Sequence, residues 1–233
     1  MLGSTIFVLI GMELVYAFDG GKGQATVEWL GASPFLMTRA ELHELGYIVP
    51  IATVPSILRR GILSHRRAEV VPHGSIAMDE VQRLRAKVIV PNGLALHEYV
   101  NLYICPRNPM LFKRKDVHEE ICILRVSTDV LDVPNVIITD SNAGSRYVRF
   151  SPSPSGLAIV DGERTFATYW KHPDDQRDEW IHTSQKCAEV LVPNVVPPRH
   201  ITGAYVSCEV SHQELQALAP NLPITVDADL FFQ

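Results

Sequence analysis

Glycine-rich phosphate loops are missing from this chain. It has neither G-x-G-x-x-G nor a Walker sequence, so neither standard nucleotide-binding fold is indicated. No internal repeat occurs, which sets aside repeat architectures. C-x-x-C pairs are absent too: Cys105, Cys122, Cys187 and Cys208 are widely spaced, and three of them lie in apolar stretches. That pattern fits small buried hydrophobes in a reducing cytoplasm and argues against disulfides or zinc. His97-Glu98 and His118-Glu119 do not extend to H-E-x-x-H, so a metalloprotease signature is lacking and no metal site is expected. Excess positive charge is missing as well. A formal charge of -5 argues against a generic nucleic-acid coat protein but leaves room for a local basic groove, because binding follows the local field. The apolar run Ile6 to Phe18 is too short to span a bilayer, contains Glu13 and has no basic flank before it.

What remains is an ordinary globular composition. The 233 residues are 46% hydrophobic and 20% charged, enough for one sizeable core. Residues 1–36 differ from the rest, since the apolar run is followed by Asp19-Gly20-Gly21-Lys22-Gly23, a flexible connection. They read as a weak signal peptide or, preferably, as an upstream extension, with the functional domain covering 37–233.

Within that domain, Tyr47 to Ala52 predicts a short strand, and Thr53 predicts the N-cap of a helix through Arg60. Pro55 suits the first helical turn and Gly61 is placed to stop the helix. Arg59, Arg60, Arg66 and Arg67 form a basic cluster around His65. A second helix is expected over Asp79–Arg85, with Val81 and Leu84 on its apolar face and Arg85 at that face's border, able to reach inward. Strands are expected over Tyr99–Cys105, Ile121–Val126, Val136–Thr139, 189–193, Ile201–Val206 and Ile224–Phe232, with a helix over 212–219. Ser127 caps a short helical turn. The Ser-, Pro-, Gly- and Asn-rich stretch Asp140 to Gly162 is a long loop inside a compact domain, which points to function. Residues 163–187 read as helical in pieces. Strands dispersed among short helices without βαβ spacing predict a mixed α+β domain.

One carboxylate stands out. Glu189 sits at the mouth of the apolar run Val190-Leu191-Val192, where a charge held at a buried strand must find a partner.

The ordered segments Ser56-Ile57-Leu58-Arg59-Arg60-Gly61-Ile62-Leu63, Ser75-Ile76-Ala77 with Val81-Gln82, and Leu96-His97-Glu98-Tyr99-Val100 point further. So do Tyr103 to Leu111, Ile138-Thr139-Asp140, Tyr169-Trp170 and Lys186 to Pro193. Together, over roughly residues 45–207, the chain resembles the DarT ADP-ribosyltransferases, toxins that modify DNA bases. The resemblance implies a split β-sandwich with short helices around an NAD cleft. It also implies one arginine and one glutamate as the catalytic pair. Arg83 and Arg85 compete for the arginine, and counting from Ser75 and Pro91 puts it on Arg85; the glutamate falls on Glu189. Tyr47, Ile48, Val49, Ser56, Leu63 and Arg85 take the cofactor positions, and residues 69–87 match the segment covering NAD. The family's first strand usually reads His, aliphatic, Thr, His, whereas this chain has Tyr47, Ile48, Val49 and Pro50. Backbone contacts survive that change, but a histidine or hydroxyl bond does not.

By the same resemblance, the loop from Thr139 toward Glu189 recognises the substrate. Tyr103, Arg107, Met110, Tyr169 and Trp170 are expected to stack on and contact single-stranded DNA, with Lys113-Arg114-Lys115 guiding the strand in. Cleaving the nicotinamide–ribose bond builds positive charge on the sugar, which a rigidly held Glu189 would stabilise. The family account makes Arg85 a proton acceptor from the base; a permanently charged guanidinium would instead stabilise the deprotonated base. The implied function is NAD-dependent, toxin-type mono-ADP-ribosylation of single-stranded DNA, thymidine first and guanosine second. Its implied partner is an antitoxin with macrodomain-type ADP-ribosyl hydrolase activity, and no membrane is involved. RNA or protein acceptors, or a cofactor- or DNA-binding module that has lost catalysis, are the competing readings.

Overall fold

The computed structural model describes residues 37–70 and 79–233, together with a two-residue strand pair, β1 (Tyr16–Ala17) and β2 (Thr26–Val27). The domain proper begins with β3 (Leu45–Pro50), α1 (Val54–Arg60), β4 (Ile62–Leu63), α2 (His65–Ala68) and α3 (Asp79–Arg85). Next come β5 (Tyr99–Tyr103), α4 (Pro109–Phe112), β6 (Ile121–Val126), β7 (Ile137–Thr139) and β8 (Phe150–Pro152). The chain continues through α5 (Gly162–Phe166), α6 (Gln176–Gln185), β9 (Glu189–Pro193) and β10 (Val195–Val196). It finishes with β11 (Ile201–Val206), α7 (Glu209–Leu218) and β12 (Ile224–Val226).

Eight strands form one sheet in the order β12-β11-β6-β3-β5-β9-β7-β8, antiparallel except for β11 beside β12. Period-2 patterning explains its two faces. Leu45, Val49, Val100, Leu102, Leu124, Val126, Val190 and Val192 point to one side, where α1 (Val54, Ile57) and α7 (Leu215) cover them in a continuous core. Burying each such side chain is worth about 1.5–3 kcal/mol.

The other face is divided. Ile48, Ile121 and Ile123 pack with Leu111 and Phe231, while Tyr99 and Leu191 pack with Val90, Leu96 and Ala143 in a separate cluster. The division follows the pairing. β3 matches β6 along its whole length, and β5 matches β9 from Tyr99↔Pro193 to Tyr103↔Glu189, yet β3 and β5 share one register pair, Gly46↔Tyr103. Glycine is required there, because a Cβ at Gly46 would come within 2.7 Å of the Pro106 Cβ. Beyond that point the strands part and, among the described residues, the Tyr47–Pro50 backbone has no strand partner on the β5 side.

Several expectations need correction. The first strand starts at Leu45 and ends at Pro50, because Ile51–Thr53 turn into a 3-10 helix. Thr53 precedes α1 without a side-chain cap bond, while Gly61 ends the helix with φ of 87°. The strand at Tyr99 stops at Tyr103 rather than Cys105. The last helix begins earlier, at Glu209, and the expected strand to Phe232 stops at Val226. There Asp229–Phe231 coil into a 3-10 turn that drives Phe231 under β3 and β6. The long loop after Asp140 contains β8, paired to β7. Gly74 to Ala77 and the rest of 71–78 lie outside the described residues, as does most of 1–36.

Candidate active site

The first surprise is on α3. Leu84, expected on the apolar face, is 56% exposed, whereas Arg85 is 7% exposed and turns into the protein. Arg83 faces solvent. The close approach of Gly144 makes room, since a Cβ there would stand 3.1 Å from the Arg85 Cγ.

Arg85, at the end of α3, meets Glu189 at the start of β9. Its Nη1 donates to Oε1 at 3.0 Å and its Nη2 to Oε2 at 2.7 Å, a bidentate fork–fork pair. Glu189, at 0% exposure, is held from every side. Asn101 Nδ2 donates to Oε2 at 2.7 Å and the Ala143 N–H to Oε1 at 3.0 Å. Its own backbone N–H donates to Thr139 Oγ1 at 3.1 Å, and that hydroxyl donates to the Ser141 carbonyl at 2.7 Å. Asn142 Oδ1 accepts from Arg85 Nη1 at 3.2 Å and from the Gly144 N–H at 2.8 Å. The loop that begins at Asp140 therefore grips both members of the pair.

Burial alone would pull the Arg85 guanidinium down, but the charge and hydrogen bonds of Glu189 outweigh it and leave Arg85 above its usual value. It is a permanent cation. Burial first, and then the Glu189 charge, raises the Tyr103 phenol far above its ordinary range and pushes the Cys187 thiol up to about 12. Cys187 lines the site as a neutral thiol and not as a nucleophile. His97, its ring centroid 4.2 Å from that of His65, is lowered by burial and by the neighbouring His65 and Arg85, so it is neutral near pH 7.

These groups surround a cleft of about 430 Å³. Tyr47 to Pro50 form one lip and Tyr99 to Asn101 with Tyr103 the other; Leu63, His65, Gln82 and Arg85 close one end. Pro109, Met110, Lys113, Arg114 and the α6 residues Trp180, Thr183 and Ser184 complete the wall. Of the residues singled out from sequence, Tyr47, Ile48, Val49, Leu63, Arg85, Tyr103 and Met110 line the cleft; Glu189 is sealed behind Arg85. Ser56, in the first turn of α1, does not line it.

The expected DNA contacts divide. Trp170 is 7% exposed, edge-on to Phe112 and Phe232, and has no free face for a base. Arg107 spends its guanidinium on the Asp229 carbonyl at 3.0 Å and the Thr168 carbonyl at 3.2 Å, lying 4.3 Å over the Phe232 ring. Both residues hold the C-terminal turn in place instead of reaching the cleft. Tyr169 is exposed but stands outside the lining residues. Sequence reasoning missed Trp180, which is 68% exposed at the cleft wall. Its spacing from Thr183 and Ser184, three and four residues on, was the available signal for a shared helical face. It also missed Asn101 and Asn142, for which nothing in the local pattern gave a sign. Among the described residues no group of three or more His, Cys, Asp or Glu side chains could hold a metal ion.

Nearly the whole domain, cleft included, falls within the match to one known family. The model of the ssDNA thymidine ADP-ribosyltransferase DarT aligns with residues 47–232. The chain belongs to the DarT family. It is 32% identical over 208 residues to a "DNA ADP-ribosyl transferase-DNA ADP-ribosyl glycohydrolase fusion protein" of Thermosipho africanus, covering 82% of this chain and 50% of the relative. The chain thus spans about half the length of that fusion. It is also 32% identical to a DNA ADP-ribosyl transferase of Thermus sp. strain 2.9, over 69% of this chain and 79% of the relative. The structure of Thermus sp. 2.9 DarT in complex with ADP-ribosylated ssDNA superposes with a TM-score of 0.73 at 25% identity, covering 84% of this chain and 99% of that one. The same Thermus protein in complex with carba-NAD+ superposes with a TM-score of 0.68 at 25% identity, over 82% and 98% of the two chains.

Proposed function

We propose that this DarT-family chain transfers ADP-ribose from NAD to a thymidine base in single-stranded DNA. The observation that carries the reading is the Arg85–Glu189 pair, set between the β3 and β5 lips at the foot of the cleft. The lips fit the donor: Tyr47–Pro50 offer strand backbone that pairs with no strand on that side among the described residues, and Leu63, His65, Gln82 and Arg85 line the same cleft. When bound, NAD supplies an ADP-ribosyl group on a labile nicotinamide bond.

Each residue then has a role that its surroundings support. Glu189, preorganised by four hydrogen bonds, places negative charge where the sugar becomes positive. Arg85 stays a cation, so it stabilises a base that has lost its proton rather than taking that proton. To do so it must exchange Glu189 for the incoming substrate. Trp180 offers an open aromatic face, and Lys113 on the same cleft lining adds positive charge for the DNA backbone. The relative that joins a transferase to a glycohydrolase suggests that a separate ADP-ribosyl hydrolase of macrodomain type counteracts this chain as its antitoxin. Residues 37–233 form the catalytic domain, acting in the cytoplasm where NAD and DNA are found. Among the described residues no helix is long and apolar enough to cross a membrane.

Labelled NAD, incubated with oligonucleotides differing in one base and with RNA and protein acceptors, tests this. Label should reach thymidine-containing single strands and fall at least about 100-fold in Glu189→Gln and Arg85→Ala, as for loss of a preorganised charge-stabilising group. Label on protein or RNA alone, or undiminished label in Glu189→Gln, would overturn the assignment.

A further inference from the structure

Asn101 supplies one of the four hydrogen bonds to the central carboxylate, and it is the one made by a side chain other than Arg85. It stands in the middle of β5 and lines the cleft, donating from Nδ2 to Glu189 Oε2 at 2.7 Å. The Ala143 N–H donates to the other oxygen at 3.0 Å. The two remaining bonds both come from Arg85. These partners differ in how firmly they are fixed. Asn101 is a short side chain on a strand paired over five residues with β9, which carries Glu189. In that register Asn101 opposes Leu191 and Glu189 opposes Tyr103, so Asn101 and Glu189 are diagonal neighbours on one face of the sheet. Ala143 contributes backbone. Arg85, by contrast, is a long side chain on the last residue of a seven-residue helix.

We propose that Asn101 is a positioning residue: with the Ala143 N–H it holds the Glu189 carboxylate in place when Arg85 leaves for the substrate. This rests on the reading of Arg85 and Glu189 as the catalytic pair. Each carboxylate oxygen keeps one fixed donor and regains one open acceptor site where the guanidinium had been. Without that clamp, a released glutamate would recover side-chain freedom, and precise placement of the charge would be lost. The titratable groups facing Glu189 are Arg85 from α3, Tyr103 from β5 and Cys187 from the approach to β9. Burial keeps the phenol and the thiol protonated, so once Arg85 moves, the clamp consists of neutral donors.

Two measurements decide it. In a crystal structure of Arg85→Ala, the Glu189 carboxylate should stay within hydrogen-bond distance of Asn101 Nδ2 and the Ala143 nitrogen; a carboxylate turned away overturns the proposal. In kinetics of NAD consumption with a thymidine oligonucleotide, Asn101→Leu should lower kcat about tenfold, a larger change than any in KM for NAD. Asn101→Gln, which keeps an amide donor, should recover part of the loss. Equal losses in both variants would mean a merely structural role and overturn the proposal. If the wild type modifies no DNA, the catalytic reading fails, and the Arg85→Ala structure still decides whether the clamp exists.

Discussion

The two faces of the central sheet are built from the same strands and behave differently. On one, side chains from β3, β5, β6 and β9 meet in an unbroken core under α1 and α7. On the other, the same strands carry two separate apolar clusters with a cleft and an ion pair between them. The continuous face needs only alternating apolar residues. The divided face needs a failure of pairing after Gly46↔Tyr103, and the cleft occupies the gap. On the proposed reading, the bulk of the stabilising core and the catalytic pair lie on opposite sides of one sheet.

The sharpest way to break this comparison is to cut one residue from each face. Leu102→Ala, on the continuous side, should cost about 2–5 kcal/mol in urea unfolding while turnover per folded molecule stays near that of wild type. Glu189→Gln, at the end of the paired register, should do the reverse and abolish transfer in a folded protein. If Leu102→Ala lost turnover in proportion to nothing but chemistry, the division of labour would be wrong.

A second contrast separates the tryptophans. Trp170→Ala should lose about 3–5 kcal/mol of stability, read as a fall in Tm, with single-stranded DNA affinity retained in the folded fraction. Trp180→Ala should leave Tm unchanged and weaken DNA binding by about 1–3 kcal/mol, read by fluorescence anisotropy. Interchanged results would restore Trp170 as the stacking residue. Gly46→Ala sharpens the picture at the branching point: overpacking against Pro106 should cost about 1–3 kcal/mol and shift the lips, seen as a raised KM for NAD.

The smallest effect concerns pH. Burial lowers His97, His182 and His200 below the ordinary histidine value. Between each folded and unfolded value the unfolded chain binds more protons, so stability rises with pH in that window. Tm should therefore decline as pH falls from about 6.5, the unfolded histidine value. The Asp178 carboxyl, held low chiefly by its Arg164 hydrogen bond, contributes stability that is lost further down, as pH falls below the ordinary carboxylate range. A flat Tm between pH 7 and 5 would contradict the buried, neutral state of these histidines.

Much of this arrangement was legible in the chain. Ile121–Val126, Glu189–Pro193 and Ile201–Val206 are strands with the bounds their apolar patterns implied, and Arg85 closes its helix as expected. Those signals are local, since period and punctuation depend on neighbours a few residues away. Leu84 and Arg85 show where local reasoning stops. Hydrophobicity placed Leu84 inward, but a buried carboxylate arriving from 104 residues away attracts the guanidinium and leaves the leucine outside. Asn101 and Ala143 were invisible for the same reason. An amide on a strand and a backbone N–H in a loop carry no mark in sequence of the charge they will serve. The C-terminal turn gave a false strand because Phe231 and Phe232 are β-type residues, yet their burial under β3 and β6 favours a 3-10 turn.

Strand periodicity, helix stops and the two members of the ion pair are therefore encoded locally, by residue type and spacing. Which lip each residue faces, how the carboxylate is held and which tryptophan stays open depend on contacts between segments remote in the chain. Burial and hydrogen-bond satisfaction are properties of the assembled sheet, and no short window of residues contains them.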